Sequence, residues 1–294
     1  MTEGLIAQVK DWAADPTMLP RMSTALGLEA GRVIEGMRGD GFGENQTYSS
    51  EELASRVGAY EELAAEISRA VALVGHWSDE TGARIVGRLI GRLANALGRS
   101  NGQVPWLELD RYPALLVMYA AGIGAVLAGH ETQLVEILTR PHVLERERWT
   151  PNVLVLYPGN VIDHRIAQQL PGLERRHTPL SDHLAEILGT WLSEVEPDQK
   201  AFERGLDRFE LLLGLIYYDL AQGSGRGGWA PLGRFTWRYN YGGTIWAELS
   251  REIEEASDGW PLLKAGLFGG SADRLQTSSK AYFALVANAA NHLL

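Results

Sequence analysis

The sequence predicts an all-α fold in which about ten helices pack as helical hairpins within one large domain. Apolar residues recur at helical spacing along most of the 294 residues, and only one short run has the composition of a strand. The composition, 45% hydrophobic and 22% charged, is that of a globular chain that can bury a substantial core. The expected domain is the whole chain, 1–294, and two lobes, 1–148 and 149–294, are the alternative division.

Charge and cysteine content limit the class of protein. The absence of cysteine excludes a disulfide framework and a thiolate metal site. The net charge of −10 opposes a broad nucleic-acid surface, which needs a large basic footprint. Residues 1–16 have no basic stretch followed by a long apolar run, so we expect no signal peptide. These observations favour a cytoplasmic protein.

The first helices follow from spacing and capping. Residues 4–13 and 22–38 are predicted to form two helices, separated by the prolines of the ADPTMLPR sequence. Ser50 is the expected N-cap of a longer helix over 51–75, because its side chain can accept a free N–H of the first turn. Apolar residues form one stripe along that helix, which predicts that it packs on the core.

A predicted helix over 79–98 has three different faces on a helical wheel. We expect it to lie between two neighbouring helices, because its face of small residues lets another backbone approach closely. The third face, an arginine strip, is then the exposed one. It is a candidate contact for an acidic partner or a phosphate chain, and pairing with nearby acids such as Glu80 is the alternative. The small face contains Ala83, Gly87, Gly91, Ala94 and Gly98, and the arginine strip contains Arg84, Arg88 and Arg92.

The segment 112–129, YPALLVMYAAGIGAVLAG, has no charged residue and is near the lower length limit for a membrane-spanning helix. It contains a proline, two tyrosines and several glycines, and the acids Asp110 and Glu131 lie close to its two ends. We therefore favour a buried central helix and expect no membrane contact. Gly129 ends the helix and ETQLVEILTR follows at once, which predicts a helical hairpin with a short turn.

The second half of the chain also consists mainly of predicted helices. The run 151–163 has a strand-like composition but no partner strand, so we expect it to be extended. Ser181 is the expected cap of a helix over 182–195, and Asp198 that of a helix over 199–221. Three further helices are predicted near 244–257, 260–267 and 272–293.

The stretch 221–248, AQGSGRGGWAPLGRFTWRYNYGGTIWAE, is basic and aromatic in an acidic protein. It contains a glycine cluster and no acid before its last residue. Six aromatic side chains lie within it, together with three arginines. The arginines are Arg226, Arg234 and Arg238.

Three interpretations of this stretch are open. It can be a structural plug between helices, a site where arginines hold an anionic strand and aromatic rings stack on its bases, or a protein-docking loop. We favour the plug, in which Trp229, Phe235 and Trp237 are buried and the arginines pair with acids of this chain. Phe235 and Trp237 are two residues apart, so both rings can point to one side of an extended segment.

No sequence motif for phosphate binding or nucleophilic catalysis is present. The stretches GDGFGE and GSGRGG lack the lysine and the preceding strand of a P-loop, and neither GxSxG nor SxxK occurs. The densest group of candidate acid–base or metal-binding residues is Asp163, His164, His177, Asp182 and His183. Their spacing does not place the last two histidines on one helical face, so polar residues at helix ends are the favoured interpretation.

Two stretches, RYPALLVMYAAGIGAVLAG and GGWAPLGRFTWR, resemble a helical region of actinobacterial proteins. In those proteins the region often follows an effector domain of the TIR or SIR2 kind, and the proteins are suspected to act in phage defence. The resemblance covers residues from about 50 to 240 and implies a helical accessory or sensor region without known catalytic residues. The first 48 residues are too few for an effector domain, so it implies a stand-alone or excised accessory half.

We therefore expect a non-catalytic protein-interaction module that acts as a sensor, scaffold or regulator of a bacterial system. We expect no cofactor and no metal, a protein partner or a second copy of the chain, and no nucleic acid. An enzyme or ligand-binding protein with a polar site around Asp163, His164, His177, Asp182 and His183 is the alternative. The candidate contacts with a partner or an anion are Arg84, Arg88, Arg92, Arg226, Arg234 and Arg238.

Overall fold

The computed structural model describes residues 4–43, 47–99, 101–145, 147–222, 227–238 and 244–292. These residues are mainly helical, so the predicted all-α fold is confirmed. The described helices are α1 (Leu5–Trp12), α2 (Leu19–Met37), α3 (Ser50–Trp77), α4 (Glu80–Ala94), α5 (Val104–Leu109), α6 (Tyr112–Leu127), α7 (Asn152–Val155), α8 (Pro158–Val161), α9 (His164–Ala167), α10 (Pro179–Trp191), α11 (Gln199–Gln222), α12 (Phe235–Arg238), α13 (Ile245–Ala256), α14 (Pro261–Lys264) and α15 (Ala272–His292). Strands β1 (Pro141–Glu145) and β2 (Arg148–Pro151) form an antiparallel hairpin.

Helix α6 is the buried central helix that its charge-free sequence predicts, and every residue up to Val126 is buried. It packs along α3 through small residues. A Cβ atom at Gly75 of α3 would overlap the carbonyl oxygen of Ala121, and one at Gly124 would overlap that of Ala72. The two backbones are therefore in direct contact, which compensates for the cost of about 1 kcal/mol that glycine adds within a helix. Among the described residues no helix is long and apolar enough to cross a membrane.

Helix α11 packs on the other side of α6. Its Phe209 ring lies against Gly122, where a Cβ atom would overlap the ring. The same ring makes an edge-to-face contact with Tyr119, with centroids 4.9 Å apart. The described buried apolar residues form one connected core that runs from Val9 to Val286. The division into two lobes stays a prediction.

Helix α4 uses its small-residue face for close packing, as expected, but the neighbour is not another α-helix. A Cβ atom on Gly87 would lie 2.5 Å from the carbonyl oxygen of Glu136, and one on Gly91 would lie 2.7 Å from that of His142. These carbonyl groups belong to a π-helical segment over 135–139 and to β1. The small-residue face of α4 therefore packs against irregular backbone, which comes as close to α4 as the backbone of a packed helix would.

Helix α4 is also shorter than the predicted span 79–98. It ends at Ala94, and Gly98 lies beyond it with a φ of 55°. A positive φ is readily adopted only by glycine, so Gly98 belongs to the loop after α4 rather than to the small-residue face.

The predicted second arm of a helical hairpin after α6 is wrong. Gly129 makes the turn with a φ of 73°, as expected for the residue that ends the helix. The chain then forms a 3₁₀ turn (Glu131–Gln133) and the π-helical segment (Val135–Thr139) instead of an α-helix. Pro141 follows directly and disfavours helical backbone at the residue before it, so the chain leaves the helix and enters β1.

The run 151–163 is not extended, which corrects the sequence prediction. It contains α7 and α8, and the strands lie just before it. Asn152 is the first residue of α7. Its side-chain amide N–H donates a hydrogen bond to the carbonyl oxygen of Ile137, at 2.8 Å. Pro158 then begins α8, because its fixed φ suits a first helical position.

Capping side chains were predicted with mixed success. The N-cap of α3 is Ser49, one residue before the predicted Ser50, and its hydroxyl accepts the N–H of Glu52 at 3.1 Å. Asp198 accepts a backbone N–H at the start of α11, as predicted. Helix α10 begins at Pro179 rather than after Ser181, because proline takes its first position.

Candidate ligand-binding pocket

A pocket of about 430 Å³ lies between α8, α9, the start of α10, the segment 229–236 and α15. We call it the apolar pocket. Its volume lies within the usual range for small-molecule sites, roughly 300–1,000 Å³. The apolar part of the lining includes Pro158, Ile162, Ala167, Leu180, Leu232 and Ala289. The polar part includes His164, His177, Thr178, Ser181 and Thr236.

Prolines and short helices leave this space open. Pro158 and Pro179 each begin a helix, and neither has a backbone N–H to donate across the gap. Helices α8 and α9 contain four residues each, so neither presents a long face that could close against α15. The facing chain around Pro231 has no regular secondary structure. The elements around the pocket therefore cannot interlock as long helices do.

Trp229 borders the mouth of the pocket, and the prediction that it is buried is wrong. Its side chain is 48% exposed. The ring packs on Tyr157 and Tyr217, with centroids 5.5 Å away in both pairs. Those two rings already contact each other, so they fill the space beneath Trp229 and hold it at the surface. Trp229 thus presents a large, partly exposed aromatic face beside the pocket.

The rest of the described stretch is a structural plug, as predicted. Residues 230–236 are almost entirely buried, and Phe235 is fully so. Phe235 and Trp237 lie in the single turn α12 instead of an extended segment, so their rings point in different directions. Trp237 is half-buried, and its indole N–H donates to the hydroxyl of Thr178 at 2.8 Å. The plug thereby forms one wall of the pocket.

Arg234 and Arg238 make their ion pairs inside the protein. Arg238 Nη2 lies 2.6 Å from Glu203 Oε2, and Arg234 Nε lies 3.5 Å from Asp207 Oδ1. Asp207 is fully buried, and only 8% of the Arg234 side chain is exposed. Both arginines thus hold the segment 234–238 on α11, and their charges are paired with carboxylates of this chain. Arg226 lies outside the described residues.

A buried carboxyl group, Glu210 of α11, lies behind the plug wall. It accepts hydrogen bonds from the hydroxyl of Ser181, at 2.7 Å, and from that of Tyr119, at 3.2 Å. Burial raises the pKa of Glu210 to about 8, and the carboxylates of Asp207 and Asp182 act in the same direction against these hydrogen bonds. Glu210 is therefore mainly protonated near neutral pH.

The three hydroxyl groups of the lining are already engaged by the protein. Ser181, which the sequence suggested as a helix cap, instead joins the pocket wall to the buried layer behind it, which consists of Glu210 and its hydrogen-bond partner Tyr119. The partners are the Asp182 carboxylate for Thr178, Glu210 and the backbone N–H of Arg234 for Ser181, and the Gly233 carbonyl group for Thr236. These bonds fix the wall and engage its hydroxyl groups within the protein.

Two of the five polar residues that the sequence singled out line the pocket. His164 and His177 are both exposed, which places them at its mouth. Within the described residues neither imidazole has a hydrogen-bond or ion-pair partner. Both rings are therefore available to a bound molecule.

The other three do not join them, so the hypothesised polar site does not assemble. Asp163 caps α9 by accepting the N–H of Arg165 at 2.9 Å. His183 Nε2 lies 2.7 Å from the Glu61 carboxylate. Asp182 is buried, and burial raises the pKa of its carboxyl group. In the part of the chain that the structure describes, no group of three His, Asp or Glu residues could hold a metal ion.

The arginine strip of α4 is exposed, as predicted, but two of its members are engaged. Arg84 Nε lies 3.4 Å from Glu136, and Arg92 Nη1 donates to the carbonyl oxygen of Gly27 at 2.8 Å. Arg88 has no ion-pair partner among the described residues. The strip is therefore not a continuous line of free positive charge.

No protein-family model, curated protein or solved structure matches the chain. Functional inference therefore rests on the pocket and its surroundings.

Sequence reasoning missed the pocket as a whole. Its lining comes from three separated parts of the chain, which no local pattern connects. A usable signal was present in Pro158, Pro179 and Pro231, since proline interrupts regular secondary structure and marks the junctions between elements. The histidines were found as polar residues, but their position at the mouth depends on the tertiary fold.

Proposed function

We propose that the protein is a non-catalytic regulatory module that binds a small, mainly apolar molecule in the apolar pocket. The pocket itself carries this proposal, because it is concave, of ligand size and lined mostly by carbon atoms. Regulation through contact with a partner protein, which the sequence led us to expect, remains part of the proposal. A helical sensor of this kind is also what the resemblance to regions beside TIR and SIR2 domains implies.

The polar groups of the pocket favour binding over catalysis. Ser181 is the hydroxyl nearest to a potential base, but that base, Glu210, is mainly protonated near neutral pH because burial raises its pKa to about 8. A protonated carboxyl group cannot remove the proton of a serine nucleophile. His164 and His177 have no carboxylate partner among the described residues that would orient them as a general base. Recognition is therefore the better-supported role.

The expected affinity follows from the size of the pocket. A ligand of about fifteen non-hydrogen atoms fits this volume, and at roughly 0.3 kcal/mol per atom it binds with a Kd of about 0.5 mM or lower. The neutral fluorescent probe N-phenyl-1-naphthylamine tests this expectation. Saturable binding with a rise in fluorescence is the expected result.

A matched pair of variants locates the binding. Ala289 of α15 lines the pocket, so Ala289→Phe fills it and is expected to weaken probe binding about tenfold or more. Ala284 lies on the same helix, is exposed and does not line the pocket, so Ala284→Phe is expected to leave binding unchanged. Melting temperatures of both variants close to that of the parent show that the fold is retained. Equal probe binding by both folded variants would exclude the pocket as the site.

A further inference from the structure

We infer that the ligand of the apolar pocket is an amphiphile with a single carboxylate, which lies at the mouth beside His164 and His177 while its hydrocarbon body fills the interior. This inference rests on the proposed function and adds to it the chemical class of the ligand. It follows from which polar groups of the lining remain uncommitted, from the charge around the mouth, and from the apolar interior.

The uncommitted side-chain groups of the lining are hydrogen-bond donors. The hydroxyls of Thr178, Ser181 and Thr236 already have partners within the protein. The imidazoles of His164 and His177 and the indole of Trp229 have none within the described residues. An indole N–H only donates, and an imidazole donates from at least one ring nitrogen in every protonation state. A neutral imidazole also offers an acceptor nitrogen, but the indole does not, so a ligand group that meets all three residues together is an acceptor.

All three of these residues are exposed, whereas the hydroxyl-bearing residues Ser181 and Thr236 are buried. The free donors thus lie at the mouth, and the engaged groups lie in the interior. The ligand accordingly places its polar end outward. Its other end enters a lining of proline, leucine, isoleucine and alanine.

The charge around the mouth favours an anion. The segment Asp163–His177, which carries both histidines, contains three arginines and two acids in a protein of net charge −10. One of these arginines, Arg176, lies 3.9 Å from the Glu186 carboxylate, and the other two have no ion-pair partner among the described residues. The described lining of the pocket contains no acid that could pair with a cation. The first turn of α10, which also lines the pocket, adds the positive end of a helix dipole, which Asp182 of the same turn partly offsets. Donors to an anionic acceptor form the stronger, charge-assisted hydrogen bonds.

The interior limits the ligand to one charged group. No charged side chain is among the described residues that line the pocket, so a second charge would be desolvated without a partner. A dicarboxylate or a zwitterion is therefore disfavoured. A hydrocarbon chain or ring system that bears one carboxylate satisfies both ends of the pocket.

Three ligands with the same hydrocarbon chain separate the contribution of the head group from that of the body. Calorimetric titration near pH 7 compares octanoate, octanol and octylamine. We expect octanoate to bind most tightly, and octylamine to bind about tenfold more weakly than octanoate or worse. Equal affinities for octanoate and octanol, or tighter binding of octylamine, would overturn the carboxylate inference and leave the apolar pocket in place.

Substitution of the two histidines tests where the carboxylate lies. The double variant His164→Phe/His177→Phe removes both donors and keeps ring volume, so it should lose the preference for octanoate over octanol and retain octanol binding. The double variant His164→Gln/His177→Gln keeps an N–H donor at each position and should recover part of the preference. An unchanged preference in the phenylalanine variant would overturn the inference. If none of the three ligands binds, the inference fails, and the naphthylamine probe shows whether the proposed function fails with it.

Discussion

The α3–α6 interface and the wall of the apolar pocket belong to the same core but are closed to very different degrees. Along α3 and α6, glycines let the backbones touch, so that Gly75 and Gly124 have no room for a Cβ atom. At the pocket, α8, α9 and the chain around Pro231 surround a space of about 430 Å³. Both regions are built largely from small and apolar residues.

The difference between them lies in the length and regularity of the elements. The helices α3 and α6 run over many turns, so a repeated pattern of small residues can bring them together along their length. The pocket is bordered by α10 and α15 but also by the single helical turns α8 and α9 and by the irregular segment around Pro231. The position of that segment depends on the plug and on the hydrogen bonds around Glu210. A protein can therefore combine a rigid centre with an open site by changing element length rather than composition.

The largest expected effect comes from adding one carbon atom to the closed interface. Gly75→Ala should destabilise the protein by about 4 kcal/mol, beyond the usual range of roughly 1–3 for overpacking, because the atom that it meets belongs to backbone. Gly58 lies on the same helix with nothing within 4 Å of its Cβ position, so Gly58→Ala should stabilise the protein by about 0.5–1 kcal/mol. Urea denaturation measures both. Similar losses in the two variants would show that helix propensity, not close packing, determines the effect.

The second effect tests the plug that supports the pocket wall. Arg234→Ala should cost about 3 kcal/mol, because it leaves the buried Asp207 carboxylate with a weaker set of partners. Arg84 is the matched control, since it also meets a carboxylate but is half exposed, and Arg84→Ala should cost about 0.5 kcal/mol or less. Thermal unfolding of both variants checks this order. An equal and small loss would mean that Asp207 is well solvated.

The third effect concerns the buried layer behind the wall. Because burial raises the pKa of Glu210 to about 8, the folded state holds a proton that the unfolded chain releases well below that pH. The free energy of unfolding therefore falls as the pH rises toward 8, by at most about 1.4 kcal/mol per pH unit. Glu210→Gln removes this dependence.

Between pH 6 and pH 8 the parent protein should lose about 2 kcal/mol more stability than the Glu210→Gln variant. Urea denaturation at several pH values in this range measures the difference. Parallel stability curves for the two proteins would show that Glu210 is ionised throughout this range, and its carboxylate could then act as a base toward Ser181.

The smallest effect is expected at the mouth. Trp229→Ala should cost about 1 kcal/mol, because the ring is half exposed and its main contacts are two aromatic neighbours. Phe235→Ala, from the buried part of the same stretch, should cost about 3 kcal/mol. Chemical denaturation of the pair distinguishes the exposed mouth from the plug. Comparable losses would place Trp229 in the plug.

The fold was predictable where one stretch of sequence determines its own environment. The charge-free run of α6 could only be buried, and Asp198 could be recognised as the start of α11. The pocket was missed because its lining comes from distant parts of the chain. The β-hairpin was missed although its strands are neighbours in sequence, and the side chain of Asn95, just after α4, holds β1 in place through hydrogen bonds with His142 and Leu144. Ser181 illustrates this limit: locally it resembles a helix cap, and only the approach of Glu210 gives it a different role.

The contact between Glu210 and Gly233 has an evolutionary consequence. A Cβ atom at residue 233 would overlap the Glu210 carboxyl group, which needs that space to reach Ser181. The residues at the two positions therefore constrain each other. A glutamate at position 210 restricts position 233 to glycine, and a larger residue at position 233 requires a shorter residue at position 210. In homologous sequences these positions should covary, and this pair identifies relatives that retain the buried layer behind the pocket.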